Sequence, residues 1–245
     1  MDLPDALGTA TGLTCVVGAG GKKTTLYALA DRLDRAVVTA TVRIPIFDEE
    51  VAEVVVTDDP AAAAGRADRF PLGLVPERER EDRYRGYDPE TVGDLAAAHD
   101  GPVLVKADGA RTRWLKAPND REPRIPRAAD TVLPVASARI VGKPLTDERV
   151  HRPERVAAVT GREVGEEVRA ADVAAVLASE EAGLKGVPEG ATAIPVVNMV
   201  DDPELEAVGR EIAEEVLARA PESVPRVALT RMVADDPVVA VVERS

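Results

Sequence analysis

The feature that most constrains the fold lies near the start of the chain, where residues 16–25 read V-V-G-A-G-G-K-K-T-T. An apolar, β-branched run, Leu13–Val17, breaks into glycines, lysines and threonines, and a helical pattern follows. Glycine permits a tight turn with inward-facing N–H groups, and a helix start adds partial positive charge. The segment therefore predicts a strand, a phosphate-binding loop and a helix, in that order.

This loop departs from the standard P-loop pattern, G-x-x-x-x-G-K-[ST]. If Lys23 is the phosphate lysine, Lys22 stands where glycine is expected; if Lys22 is, Lys23 stands at the hydroxyl position. Both interpretations stay open, and so does a glycine-rich turn without a ligand. The hydroxyl of Thr24 or Thr25 is placed for Mg²⁺. The expected phosphate-binding residues are Gly18, Ala19, Gly20, Gly21, Lys22, Lys23, Thr24 and Thr25.

Composition limits the class of protein and its surroundings. With 245 residues the chain can form one large α/β domain, and an aromatic content of 2% implies a core of Ala, Val, Leu and Ile. The single cysteine, Cys15, is interpreted as a buried hydrophobe, which suits a reducing cytoplasm. A net charge of −13, with arginine far outnumbering lysine, is typical of a halophilic archaeal cytoplasm. The same charge argues against nucleic acid or an anionic membrane as partner. No signal peptide or membrane span is expected.

Strand and helix patterns alternate along residues 1–245. This alternation predicts a single α/β domain, a three-layer P-loop NTPase-like sandwich with a mostly parallel sheet. We expect a mostly helical insertion at about 137–190 and a loop at Pro71–Pro76. The predicted strands are 13–17, 36–41, 54–57 (an edge strand), 103–107, 131–135, 193–198, 226–230 and 238–242. The predicted helices are 23–33, 91–99, 153–159, 171–179 and about 203–219.

Two further strand ends carry possible metal ligands. Asp108 follows the apolar strand Val103–Ala107, a pattern typical of a Walker-B carboxylate that holds Mg²⁺ or its water. The alternative is an ordinary Asp-Gly turn. Thr41 ends the second strand, where its hydroxyl could contact Mg²⁺ or a γ-phosphate, although threonine is also simply favoured in strands. The expected metal ligands are therefore Thr24, Thr41 and Asp108.

Basic residues follow Asp108 in an otherwise acidic chain. Arg111, Arg113 and Lys116 lie in a proline-bounded loop, where they could meet a γ-phosphate or an anionic partner. The alternative is a solvated loop that balances local acids. The candidate catalytic set is Lys23, Asp108, Arg111 and Lys116.

A fourth strand end reads Asn198-Met199-Val200-Asp201. It resembles the Asn-Lys-x-Asp motif that binds guanine, with Met199 in place of lysine, so Asn198 and Asp201 are candidate base ligands. Alternatively, Asp201 or Asp202 caps the following helix. No catalytic triad order, HExxH motif or Cys/His ligand set appears, and His151 is interpreted as a packing or surface residue.

Several motifs occur in an order that resembles a known family. They are the glycine loop, Thr39–Thr41, Ala107–Ala110, Leu115–Pro118, Glu122–Pro126, Gly142–Leu145 and Val150–Glu154. Over roughly Leu13 to Asp201 the chain resembles YqeC-type accessory proteins of selenium-dependent hydroxylases. The resemblance implies a P-loop nucleotide-binding fold. It also implies a role in maturing molybdenum hydroxylases of the xanthine dehydrogenase type, through selenium or molybdenum-cofactor handling. Relatives typically have one lysine in the loop and an acidic residue where Lys106 stands.

The leading hypothesis is a cytoplasmic, Mg²⁺-dependent accessory protein that binds ATP or GTP and hydrolyses it slowly. Its partner would be a molybdenum hydroxylase or that enzyme's cofactor. One alternative is phosphoryl or nucleotidyl transfer onto a cofactor or a selenium species. The other is a non-enzymatic scaffold whose glycine loop is structural.

Overall fold

The computed structural model describes residues 1–244 and is built around one large, mostly parallel sheet. The strands are β1 (Leu13–Gly18), β2 (Val37–Ala40), β3 (Ile44–Pro45), β4 (Glu53–Val56), β5 (Leu72–Val75), β6 (Arg83–Tyr84), β7 (Val103–Lys106), β8 (Leu115–Lys116), β9 (Thr131–Ser137), β10 (Val150–His151), β11 (Thr192–Ala193), β12 (Val196–Asn198), β13 (Arg226–Thr230) and β14 (Val238–Glu243). The helices are α1 (Leu3–Leu7), α2 (Lys22–Ala30), α3 (Pro60–Arg66), α4 (Pro89–Ala98), α5 (Pro153–Thr160), α6 (Ala170–Ala178) and α7 (Pro203–Arg219), with 3₁₀ turns at Asp48–Glu50 and Ala138–Ile140.

The strand order places the glycine loop at the centre of the sheet. The order in the large sheet is β14-β13-β12-β9-β1-β7-β2-β5-β4, with β11 beside β9, and within the described part of this sheet only β13 and β14 pair antiparallel. Two small sheets lie apart from it, β8 with β10 (parallel) and β3 with β6 (antiparallel). After β1 the chain crosses to β2 on one side and later returns to β9 on the other side. In open α/β sheets, ligands bind outside the carboxyl ends of the strands at such a reversal.

Helices cover both faces of the sheet, because successive side chains of each buried strand point to opposite faces. On one face Val16 packs in a cluster with Leu26 and Leu29 of α2. On the other, Cys15 clusters with Val92 of α4 and the neighbouring α3, while α6 and α7 cover β9, β12 and β13. This arrangement confirms the predicted three-layer α/β sandwich with a mostly parallel sheet. Cys15 is fully buried, and burial raises the pKa of its thiol.

The predicted strands and helices are present with shifted ends, and three expectations were wrong. Pro71–Pro76 contains the buried strand β5; its prolines flank the strand and leave the ladder intact, and the Leu72 N–H donates to the Ala36 carbonyl. The predicted strand 193–198 is divided by Pro195 into β11 and β12. The insertion at 137–190 is not mostly helical, since only α5 and α6 are α-helices there and glycine- and proline-containing turns fill much of the rest.

Within residues 1–244, no helix has both the length and the apolar character that a membrane crossing requires.

Candidate functional site

The glycine loop joins β1 to α2, and its first three backbone N–H groups donate hydrogen bonds to other parts of the protein. Gly18 and Gly20 have φ angles of +90° and +87°, which favour glycine. The Gly18 N–H donates to Asp108 Oδ2 over 2.9 Å. The Ala19 N–H donates to the Val135 carbonyl and the Gly20 N–H to the Arg113 carbonyl, each over 2.8 Å. These three N–H groups are therefore already hydrogen-bonded within the protein and are not available to bind a phosphate.

The start of α2 supplies the free donors instead. Within residues 1–244, the backbone N–H groups of positions 21–24 donate to no protein acceptor. A helix start concentrates unpaired donors and partial positive charge, so it favours an anion. Lys22 directly follows Gly21, the helix N-cap, as the lysine of a P-loop does, and Lys23 then occupies the position of the metal-binding hydroxyl.

Asp108 lies beneath the loop, between two buried lysines. Its Oδ2 is 2.8 Å from Lys116 Nζ. Its Oδ1 is 2.8 Å from Lys22 Nζ, which makes a second ion pair. Burial alone raises the pKa of this carboxyl group, but the charges of Lys22 and Lys116 outweigh burial and hold the pKa of Asp108 below its usual range. Asp108 is therefore ionised and already paired.

A chain of charges continues from Asp108 toward α5. Lys116 Nζ also contacts Glu122 Oε2 at 3.1 Å, and Arg152 Nη1 contacts the same oxygen at 2.7 Å. Burial opposes ionisation of Glu122, yet the charge of Lys116 and the hydrogen bond from Arg152 keep its pKa below the usual value. His151, which pairs with Lys116 across β10 and β8, has its pKa lowered to about 4 by burial and by the charges of Arg152 and Lys116. His151 is therefore neutral near pH 7.

Lys106 is a third buried lysine beside this chain. Its Nζ donates to the Arg43 carbonyl over 2.7 Å, and 6% of the residue is exposed. Burial, together with the charge of Lys22, lowers its pKa to about 7. Lys106 therefore loses part of its charge near neutral pH.

These lysines give the site an excess of buried positive charge. Lys22, Lys106 and Lys116 are all buried, and among the described residues no other lysine is. Asp108 is the only carboxylate buried with them, because Glu122 keeps a side-chain exposure of 17%. With Lys23 at the surface of the same site, four of the six lysines of the chain are concentrated here. Buried charges need compensation, either by deprotonation, which burial favours at Lys22 and Lys106 by lowering their pKa, or by an anion bound beside them.

An open cleft of about 940 Å³ lies above the loop and these lysines. Its basic lining residues are Lys22, Lys23, Arg43, Arg83, Lys106, Arg111, Arg113 and Arg152, and its one acidic residue is Glu122. Lys23, Arg111 and Arg113 form no ion pair with any residue in the range 1–244. In a chain with a net charge of −13, this concentration of positive charge is local to the cleft.

Backbone strain is also concentrated around the cleft. Five non-glycine residues in the described part of the chain have positive φ. Four of them, Arg111, Thr112, Arg152 and Met199, line the cleft. Such conformations cost about 1–3 kcal/mol each and persist where the surrounding structure enforces them, most often at functional sites.

Two of the three residues expected to bind Mg²⁺, Thr41 and Asp108, have other partners in this arrangement. Both carboxylate oxygens of Asp108 contact lysine ammonium groups, and the Thr41 hydroxyl donates to the Arg124 carbonyl over 2.6 Å. The Thr25 hydroxyl is turned back to the Gly21 carbonyl, which leaves Thr24 at the cleft. No group of three or more His, Cys, Asp or Glu residues within 1–244 is placed to share a metal ion. The donor set suits an anion better than a cation.

The residues expected to bind guanine are also engaged elsewhere. Asn198 is buried; its Nδ2 donates to the Gly20 carbonyl over 2.9 Å, and its Oδ1 accepts from Thr230. Asp201 Oδ2 lies 2.7 Å from Arg139 Nη2. The helix-capping alternative holds for Asp202, whose carboxylate accepts from the Leu205 N–H at the start of α7. Asn198 supports the glycine loop, and neither Asn198 nor Asp201 lines the cleft.

The structure also assigns residues for which the sequence suggested no role. Glu122 and Arg152 extend the charge chain, and Trp114 lines the cleft. One signal was available for Lys106, a charge at the end of an apolar strand, and one for Trp114, the single tryptophan, set among basic residues. The contact between Glu122 and Arg152 joins residues 30 positions apart, and no local sequence pattern indicated it.

The fold and the site together define a three-layer α/β protein of P-loop NTPase-like architecture, with a basic cleft at the start of its first crossover helix. A model of the YqeC protein family matches residues 14–154, more than half of the chain. A relative in Escherichia coli (strain K12), named "Uncharacterized protein YqeC", is 29% identical over 190 residues, which is 75% of this chain and 74% of the relative. The chain belongs to the YqeC family, as its ordered motifs indicated.

Proposed function

We propose that this protein binds a nucleoside triphosphate in the basic cleft, with the phosphates at the start of α2. The carrying observation is the concentration of buried lysines: Lys22 and Lys116 pair with one buried carboxylate, Asp108, and a third buried lysine, Lys106, lies near it without an acidic partner within residues 1–244. A polyphosphate would compensate that charge and accept hydrogen bonds from the free amides of positions 21–24. Lys23, Arg111 and Arg113, which have no acidic partner in the described part, would hold its outer oxygens.

Any chemistry on the bound nucleotide would rely on positioning and charge. Glu122, the one acidic residue of the cleft lining, forms ion pairs with Lys116 and Arg152. His151 is a weak base because its pKa is about 4. With no strong general base beside the phosphates, we propose slow hydrolysis. The resemblance of its ordered motifs to YqeC-type accessory proteins supports a role in the maturation of a molybdenum hydroxylase, with or without selenium.

Transfer of a phosphoryl or nucleotidyl group to an acceptor is the second candidate. The cleft volume of about 940 Å³ is near the upper end of the range for small-molecule sites, about 300–1,000 Å³. That volume leaves room for an acceptor beside a nucleotide. Turnover that stays at background until a molybdopterin-type acceptor is added would favour transfer over hydrolysis.

Isothermal titration of the full chain in molar KCl tests nucleotide binding. We expect ATP and GTP to bind, and Lys23→Ala to weaken both by about tenfold or more, since it removes one charge-assisted contact. The matched control is Lys143→Ala, which removes an exposed lysine outside the cleft and should leave affinity unchanged. Absence of binding by both nucleotides, or equal losses in the two variants, would overturn the proposal.

A further inference from the structure

Trp114, the single tryptophan of the chain, is fixed beside the anion site by backbone hydrogen bonds. Its N–H donates to the Arg149 carbonyl over 2.8 Å, and its carbonyl accepts from the Ser137 N–H over 3.0 Å. The preceding carbonyl, of Arg113, accepts from the Gly20 N–H of the glycine loop. Three elements therefore fix the backbone of Trp114 next to the start of α2.

The indole ring is half-buried and lines the cleft. The guanidinium of Arg149 lies over the ring, 4.4 Å from its centroid, and Arg149 does not itself line the cleft. Arg149 thus covers one face of the ring, and Trp114 both packs against the apolar cluster under α6 and α7 and lines the cleft. Among the described residues, Trp114 is the only Phe, Tyr or Trp that lines this space.

A nucleotide with its phosphates at α2 needs a surface for its base, and the side chains expected to read guanine are not available. Asn198 holds the glycine loop and Asp201 pairs with Arg139. Aromatic rings stack on nucleic-acid bases with little regard to base identity, because every base has a π-face. Met199, also at the cleft, adds a polarisable apolar contact.

We infer that Trp114 is the base-stacking residue of this site, so that its ligand class is a nucleoside polyphosphate, ATP and GTP alike, and not an inorganic polyphosphate. This inference rests on the proposed function, because it requires the phosphates to lie at α2. It adds two consequences: the base contributes to affinity through one side chain, and ATP and GTP bind similarly.

Titration of the full chain with tripolyphosphate, ATP and GTP separates this inference from the proposed function. Wild type should bind either nucleotide about tenfold tighter than tripolyphosphate, since stacking contributes about 1–3 kcal/mol per base. Trp114→Leu should bring both nucleotides to the tripolyphosphate level and change tripolyphosphate affinity by less than about threefold, while Trp114→Phe should keep most of the preference. Tryptophan fluorescence of wild type, excited at a wavelength that the three tyrosines do not absorb, reports on Trp114 alone. It should change with nucleotide and not with tripolyphosphate.

Each other outcome contradicts a defined statement. If none of the three probes binds wild type, the proposed function fails and the inference fails with it. If tripolyphosphate binds as tightly as ATP, or Trp114→Leu keeps the preference for nucleotides, only the base-stacking role is wrong. If Trp114→Leu does not fold, the fluorescence of wild type and the Trp114→Phe titration decide. An unchanged fluorescence signal on saturation with ATP would then overturn the inference.

Discussion

Lys116 Nζ and Asp108 Oδ2 lie 2.8 Å apart, with 1% and 2% of their side chains exposed. A buried pair of this kind adds little net stability compared with an apolar pair. Removing one partner is nevertheless costly, because the other charge stays buried without a partner of opposite sign. At Asp108 the effect is larger, because Lys22 depends on the same carboxylate.

Asp108→Asn should therefore lower the free energy of unfolding by about 3–5 kcal/mol in urea titrations, because two buried ammonium groups lose their carboxylate. The comparison is Asp88→Asn, which breaks the Arg124–Asp88 ion pair, where the aspartate side chain is 79% exposed. A surface pair of that kind should cost about 1 kcal/mol or less. Similar losses in the two variants would contradict the buried network.

Lys106→Met should stabilise the protein at neutral pH and below, because it removes a buried charge. The pKa of Lys106 falls from an ordinary 10.5 to about 7 in the folded state. Between these values the unfolded chain binds more protons, so the Lys106 penalty is fully present below pH 7 and fades as pH rises toward 10.5. A shift of this size corresponds to about 5 kcal/mol, and loss of the hydrogen bond to the Arg43 carbonyl offsets about 1–3 kcal/mol of it. We therefore expect a gain of about 2–4 kcal/mol at pH 7 that shrinks at higher pH.

Urea titrations of wild type and Lys106→Met across pH 6–10 measure this difference. The charges that face Lys106 are those of Lys22, Asp108, Lys116 and Glu122. Lys143 is exposed and lies apart from them, so the same titrations of Lys143→Ala measure the pH dependence expected when an ordinary lysine is removed. A pH-independent difference between Lys106→Met and wild type would show that Lys106 keeps an ordinary pKa.

Asn198→Leu should destabilise the protein by about 2 kcal/mol, because it leaves the buried Gly20 carbonyl and Met232 N–H without their partners. Loosening of the glycine loop should weaken ATP and GTP equally in calorimetric titrations. Asp201→Asn changes the residue predicted from the sequence to bind guanine, and it should leave the ratio of the ATP and GTP affinities unchanged. A selective loss of GTP affinity in either variant would restore the guanine interpretation.

Gly20→Ala should lower the melting temperature and nucleotide affinity together. Its φ is +87°, and an added Cβ would lie 2.6 Å from the Ser137 backbone nitrogen. We expect a loss of about 2 kcal/mol or more. Gly65→Ala, in α3 with no atom within 4 Å of the new Cβ, should instead stabilise by about 0.5 kcal/mol. If Gly20→Ala is neutral, the loop geometry described here is wrong.

Removal of metal should change ATP binding little. Lysines and helix amides carry the phosphate charge, and Lys23 stands at the position of the metal-binding hydroxyl. We expect EDTA to alter the ATP affinity by less than about threefold. Loss of binding in EDTA, restored by Mg²⁺, would favour the magnesium site first expected at Thr24, Thr41 and Asp108.

The parts of the site that are local in sequence were predictable, and the parts that join distant segments were not. The strand, glycine loop and helix at 13–30 follow from adjacent residues, and an apolar run followed by Asp108 indicates the carboxyl end of a strand by itself. The hydrogen bond from Asn198 to Gly20 joins residues 178 positions apart, and no local pattern announces it. The pattern at Asn198–Asp201 left a base ligand and a helix cap both open. It could not show that Asn198 supports the glycine loop, because that role depends on a tertiary contact.

Prolines explain the errors in secondary structure in the same physical terms. Pro71 and Pro76 bound a strand too short to show alternation, although Leu72 and Leu74 are completely buried between β2 and β4. A proline that flanks a strand removes no hydrogen bond from the sheet. Pro195 lies between β11 and β12 and has no N–H to donate, so it interrupts the strand. Distinguishing the two cases requires knowing which amides pair, and pairing is a property of the folded sheet.

The concentration of lysine at one place also makes the protein well suited to spectroscopy. Isotopic labelling of lysine alone would give six side-chain signals, four of them from Lys22, Lys23, Lys106 and Lys116. Lys143 and Lys185 would serve as internal references elsewhere on the molecule. A spectrum that simple would follow the protonation of each ammonium group separately while a ligand is added.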